Sequence, residues 1–580
     1  MSRRLPAVVV AIALVFAPVA PAAEDRADLA LVTKLRDEGL NRSKVMETLG
    51  VLTDEIGPRL TGSPGLKKAG EWTKGKLTEW GLQNARTESF APFGRSWALE
   101  RASLRMLTPV GLDLVAIPKA FTPGTDGPKR GKAVYAKLEA DEDLAKWKGK
   151  LAGAIVLLDE PHANKPHLKG DAARYSDDQL DELVKIDMEP GPGRRGDMSQ
   201  FAKRREFRKK LTAFLIEEKV LATLNVSRGE DGTIFVQGGG AYKKDEPTGP
   251  PNVVVMTEAY NRLHRLVEKK KEVELELDVK VAFTDEDPEA SINVLAEIPG
   301  SDKKDEVVML GGHLDSWHGG TGATDNAAGV AVAMEAVRLL KAVGFKPRRT
   351  IRIGLWGGEE QGLLGSRAYV EKWVASRPEP TDPKEKDLPS FARRPTGPLT
   401  VKPLHGKLSA YFNLDNGTGK IRGIYCEQNA SVKPIFDAWL TPFHDLGADT
   451  TTLRKTGGTD HMSFDGVGVP GFQFIQDAMD YETRTHHSNM DVYDKIQKGD
   501  MMQASMIMAS FVAHAANRDE LLPRKPMPQD PPKDERKDAK DDRKGDGKDG
   551  KKEDGKDGKK GDARDGKGDA TKPQPATPKS

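Results

Sequence analysis

A single cysteine, Cys426, is all the thiol this sequence offers, so no intramolecular disulfide can form. Metals rather than disulfides are the inorganic element to look for, and the lone thiol reads as a buried structural residue. No apolar run reaches the ~20 residues that a membrane span needs. Charge of one sign is also missing. Lysine and arginine total 90 against 88 aspartate and glutamate, and that balance argues against a nucleic acid or any other polyanionic partner. Residues 531–580 lack aromatics and nearly all apolar side chains. Repeats such as GKDGKKEDGKDGKKGD cannot bury enough surface to offset their ordering entropy, so the tail of 524–580 is expected to be disordered.

What is present divides the chain. Arg3 and Arg4 precede an apolar stretch over 7–16, and Ala20 and Ala22 offer a cleavage site ahead of Glu24 and Asp25. Residues 1–23 therefore read as an export signal, which places the mature protein in the periplasm or outside the cell. Residues 27–82 are helical in character, interrupted by GPRLTGSPG at 57–65, whose Gly and Pro content demands a shaped turn. Short apolar strands at 152–158, 233–237 and 252–256 mark 110–255 as a small β-rich unit. That unit carries a charged, mostly helical insertion over 160–215.

Beyond residue 290 the pattern turns to strand and helix in alternation. The runs 292–298, 307–311, 351–355, 408–414 and 471–475 lack clean alternation, as suits strands buried on both faces. Residues 326–343 place Ala327, Val330, Met334, Val337 and Leu340 at helical spacing. The fold class is therefore α/β, with a mixed, mostly parallel central sheet flanked by helices and a second, β-rich unit inserted before it. Residues 378–400 read as a surface loop.

Ligands in such folds gather beyond the carboxyl ends of the strands. Here those ends carry acids and imidazoles: His313 and Asp315, then Asp325 opening a helix, the pair Glu359 and Glu360, Asp415, and His486 and His487 before Asp491. Nitrogen and oxygen donors without thiolate suit Zn²⁺. Two ions would need one shared carboxylate, for which Asp325 is the natural candidate. Adjacent residues on an extended segment point oppositely, so one of Glu359 and Glu360 can bind metal while the other faces water. Asp315, two residues from His313, is placed to orient its imidazole.

The series GGHLDSW, TDNAAG, LWGGEEQGLLGS, NLDNG, GGTDHMSFD and HHSNMDVYD resembles the M28 family of zinc peptidases, in the family's order. The likeness covers most of residues 27–515 and is nearest the branch that holds carboxypeptidase Q and exported bacterial members. Residues 110–255 are similar to the family's inserted protease-associated domain. On this resemblance 24–109 and 256–523 form the peptidase domain. It implies two zinc ions held by His313, Asp325, Glu360, Asp415 and His487, with Asp325 bridging and Glu359 as general base. It also implies a cis peptide at Asp325–Asn326. Where well-known members have a Tyr, this chain has His486.

The implied activity is exopeptidase hydrolysis of peptide substrates, most simply removal of N-terminal residues. A carboxypeptidase or dipeptidase on the same scaffold stays open, with Arg454 or Arg484 taking the α-carboxylate. A non-catalytic ectodomain is disfavoured because all five ligand positions are filled, and a single-zinc glutaminyl cyclase by the inserted domain and that complete set. Asp460 and His461 of GGTDH shape the cleft or form a bonded pair. Oligomeric state is not legible in the sequence.

Overall fold

The computed structural model describes residues 25–185, 198–240, 242–382, 393 and 396–530. The expected export signal and most of the expected tail lie outside them. So do residues 186–197 of the charged insertion and most of the expected surface loop at 378–400.

Two eight-stranded sheets organise the described chain. The first runs in the order Gln83–Ser89, Ile292–Ile298, Arg349–Trp356, Lys303–His313, Leu408–Asn413, Gly471–Gln476, Ile421–Tyr425 and Thr450–Thr452. Its four central strands, from Arg349–Trp356 to Gly471–Gln476, are parallel; the pairings that flank them are antiparallel except the last, Ile421–Tyr425 with Thr450–Thr452, which is parallel. Side chains alternate across a strand. Val308 and Leu310 face a core shared with helices Ala328–Ala342 and Lys498–Asn517, while Val307 and Met309 face Trp356, Tyr411 and Phe464 on the other side. Both faces are apolar, which explains the continuous hydrophobic runs.

The N-terminal stretch forms helices Leu29–Asn41, Val45–Gly50 and Pro64–Glu79, the last capped by the Ser63 hydroxyl accepting from Leu66 N–H. The turn between them carries Arg59, a fully buried guanidinium with no carboxylate hydrogen-bonded to it among the described residues. It donates instead to the carbonyls of Leu52, Gly57, Leu314, Thr321 and Gly322. Burial pulls its proton affinity down to about 10.

The second sheet runs from Arg95 to Asp285 in sequence, wider than the 110–255 expected. Two long antiparallel strands, Arg95–Thr108 and Glu274–Asp285, form one side of it. Their charged and apolar residues alternate (ELELDVKV), which hid them among the flanking polar segments. Residues 233–237 are not a strand of this sheet. They touch Ser488 through an isolated bridge at Phe235, and the next residue, Gly238, bridges Ala120. No helix among the described residues is long and apolar enough to cross a membrane.

Candidate metal centre

Parallel register brings the site together. His313 lies level with Trp356, and Gly311 with Asn413. The residues just past those strand ends, Glu359, Glu360 and Asp415, therefore share one edge with His313. Asp325 reaches the same edge from the turn Ala323–Ala327 that opens helix Ala328–Ala342. Three contacts pin that turn. Asp491 Oδ1 accepts from Thr324 N–H at 2.5 Å, Asn326 Nδ2 donates to Leu414 O at 2.9 Å, and Asn326 Oδ1 accepts from Gly329 N–H at 3.0 Å. The Asp325–Asn326 peptide is cis, as the resemblance implied.

Asp325 divides its two oxygens. Oδ1 lies 3.1 Å from His313 Nε2, which is itself 3.6 Å from Asp415 Oδ2. Oδ2 lies 3.1 Å from His487 Nε2, which is 2.9 Å from Glu360 Oε2. One carboxylate thus joins two half-sites, each with one imidazole and one further acid. His313 Nδ1–H donates to the Asp315 carbonyl at 3.0 Å, which leaves the Nε2 lone pair aimed at Asp325 and Asp415.

These atoms fit a divalent ion better than they fit one another. His313 Nε2, Asp325 Oδ2, Glu360 Oε1 and Asp415 Oδ1 are buried yet have no hydrogen-bond partner, although opposite groups approach closely. Buried polar atoms left unpaired in this way cost roughly 1–3 kcal/mol each, so a cation gathering them is the economical explanation. The donor chemistry, imidazole and carboxylate, is that of zinc and its neighbours. Ligand atoms of His313, Asp325 and Asp415 form one group able to hold an ion, and those of Asp325, His486 and His487 another.

Charge crowding shows in the proton affinities. Burial, with added repulsion from Asp325, raises Glu360 to about 7. Burial, only partly offset by His313, pushes Glu359 well above the usual carboxyl range. Burial opposes protonation of His487, but Glu360 and Asp325 outweigh it and lift the ring to about 10. A divalent ion reverses this logic by stabilising every deprotonated donor around it.

Several expectations need correction. Glu359 and Glu360 are not on an extended segment: they form a 3-10 turn, Glu359–Gln361, entered through Gly358 at φ +72°. The two side chains still diverge. Glu360 meets Asp325 and His487, while Glu359 senses His313, Asp415 and Asp460. Asp315 orients the His313 imidazole as expected, but through its backbone carbonyl, while its carboxylate stands 3.6 Å from Nδ1 and has further partners. It accepts from Thr61 Oγ1 at 2.9 Å and from the Glu359 and Glu360 N–H groups at 3.2 and 3.3 Å, fixing the turn that bears both acids. Among the described residues no hydrogen bond joins the Asp460 carboxylate to the His461 ring, so they are not a bonded pair. Asp460 is buried beside the centre, and burial raises it to about 7.

His486 stacks on Tyr481 at 4.7 Å, with Nε2 3.9 Å from Asp325 Oδ2. Arg454 donates to the carbonyls of Glu182 and Lys185, and Arg484 pairs with Asp171 at 3.1 Å. Sequence reasoning missed Thr61 and Arg59, although the Gly- and Pro-rich turn that holds them was the available signal.

The family model "Peptidase family M28" matches residues 293–512, the stretch that contains every acid and imidazole of the cluster. Carboxypeptidase Q of Bos taurus is 27% identical over 489 residues, covering 84% of this chain and 88% of the relative. Carboxypeptidase Q of Xenopus laevis is 26% identical over 497 residues, covering 85% and 90%. A peptidase M28 precursor from Shewanella amazonensis shares the fold, with a TM-score of 0.59 and 24% identity over 86% of this chain and 98% of that one. The match over residues 293–512 and the carboxypeptidase Q relatives together support an M28 family peptidase, a metallopeptidase hydrolase.

Proposed function

We propose that this peptidase is an exported exopeptidase that uses two zinc ions to release N-terminal residues. The carrying observation is Asp325, which offers one oxygen to each of two imidazoles at 3.1 Å. His313 and Asp415 would hold one ion, His487 and Glu360 the other, and Asp325 both. When bound, the ions supply Lewis acidity and lower the pKa of water. Glu359, beside the His313 half-site, accepts the proton of the attacking water as its oxygen joins the scissile carbonyl carbon. As the C–N bond breaks, Glu359 returns that proton to the departing amine. Asp315 and Thr61 hold Glu359 where this exchange is possible. Export rests on the paired arginines and apolar stretch at the N-terminus, and the unit built on the second sheet corresponds to the family's inserted domain.

Recognition of a free amine needs acids near the cleft, and buried Asp460 is one. The two arginines considered for an α-carboxylate are engaged elsewhere, on Asp171 and on main-chain carbonyls. A second reading, carboxypeptidase or dipeptidase, is favoured by the relatives named carboxypeptidase Q, which match along most of their length. Assaying one short peptide free, N-acetylated and C-amidated separates the two. Loss of cleavage on acetylation alone supports the aminopeptidase. Loss on amidation alone makes it a carboxypeptidase, and loss on both a dipeptidase. Zinc analysis of the pure protein tests the centre: two ions per chain are expected, and none or one overturns it.

A further inference from the structure

The loop that carries His487 is held by the second sheet's unit as well as by its own, where Thr321 N–H donates to the Asp491 carbonyl at 2.8 Å. Val236 N–H donates to the His487 carbonyl at 2.9 Å. Ile234 and Asn489 bond twice, Ile234 N–H to Asn489 Oδ1 at 2.7 Å and Asn489 N–H to the Ile234 carbonyl at 3.0 Å. His487 itself sits at φ +62°, a left-handed backbone that a non-glycine residue keeps only when its surroundings impose it. One side chain of the same segment reaches the ring: Gln237 Nε2 lies 2.8 Å from His487 Nδ1, and a half-turn of the amide puts Oε1 in its place.

That contact has a chemical direction. An imidazole that gives its Nε2 lone pair to a metal carries its proton on Nδ1, and that proton needs an acceptor. Gln237 supplies one when its amide presents Oε1, a half-turn from the arrangement that presents Nε2. His313 receives the same service from the Asp315 carbonyl within the peptidase sheet. We propose that Gln237 is a positioning residue for the second half-site: it fixes the tautomer and tilt of His487 from across the boundary between the two sheets. The affinity of one metal ion is thereby tied to the seating of the inserted unit. This inference rests on the reading of His487 as a ligand.

The test is zinc binding by the full-length protein, followed by chelator competition, for the parent and for Gln237→Ala, Gln237→Glu and His487→Ala. Gln237→Ala is expected to weaken one of the two ions by roughly 10- to 100-fold and to leave the other unchanged. Gln237→Glu, which keeps an acceptor, should stay within about threefold of the parent. Melting of the metal-free proteins should be alike, because the Gln237 side chain is exposed. The inference fails if Gln237→Ala binds both ions like the parent, or if Gln237→Glu is as weak as Gln237→Ala. It also fails if metal-free melting drops while affinity holds, the mark of a merely structural contact. His487→Ala keeps the two readings apart. If it too binds both ions normally, the ligand assignment falls. If it loses one ion while Gln237→Ala loses none, only the role of Gln237 falls.

Discussion

Glu359 and Glu360 are neighbours of the same type with different surroundings, and the difference defines two roles. Glu360 faces the imidazole of His487. Glu359 has no such partner among the described residues and senses His313 and Asp415 from the side. Glu359→Gln keeps the volume and removes the proton acceptor. Zinc content should therefore be unchanged while turnover falls roughly 10²- to 10⁴-fold, read from metal analysis and steady-state kinetics on the same preparation. His318 is one of the buried rings that contribute to acid sensitivity. Its Nε2–H donates to the Pro118 carbonyl at 2.7 Å, and burial holds its proton affinity at about 4 against an ordinary 6.5. The unfolded chain takes up that proton first. The associated stability is complete above pH 6.5 and is lost as pH falls towards 4. Thermal melting from pH 7 to pH 4 should decline on this account by on the order of a few kcal/mol, and His318→Gln should flatten the decline.

At the scale of elements, the parallel strands were legible because both their faces are apolar, and the site was legible because their carboxyl ends carry acids and imidazoles. Register then did the assembling, as with His313 beside Trp356. What stayed hidden were contacts that spacing does not encode. The Glu pair lies in a tight turn because main-chain N–H groups bond to Asp315, a partner 44 residues away. Strands Arg95–Thr108 and Glu274–Asp285 were concealed by alternating charge, and 233–237 looked like a strand but divides its hydrogen bonding between the His487 loop and residues such as Ser227 and Ala120. Close approach of strands also leaves its mark. A methyl added at Gly311 would lie 1.8 Å from the Gly354 carbonyl oxygen, a backbone atom that cannot yield. Gly311→Ala should destabilise the peptidase sheet by about 3 kcal/mol or more, measured by denaturant unfolding of the metal-free protein, and a loss under 1 kcal/mol would contradict this packing.

At the scale of the whole molecule, binding and folding are linked through the cluster, because its ligands come from segments spread between His313 and His487 and meet only in the folded state. Dialysis against a strong chelator should lower the melting temperature. Restoring zinc at about 100 times its dissociation constant should return roughly 2.7 kcal/mol per independent site. A melting curve indifferent to chelator would mean that the cluster holds no ion that matters to the fold.

Arg59 has a further consequence, for the order in which the chain can mature. Its guanidinium and main chain are anchored to residues around 314–322, and its N–H meets a hydroxyl 257 positions downstream. At about 5–20 residues per second, a ribosome needs tens of seconds to deliver those partners. During that interval the N-terminal helices lack the keystone that seats them. Helices Leu29–Asn41 and Val45–Gly50 are thus made long before the carbonyls that Arg59 bonds to, and the fold around that turn closes only once residues near 320 have been made.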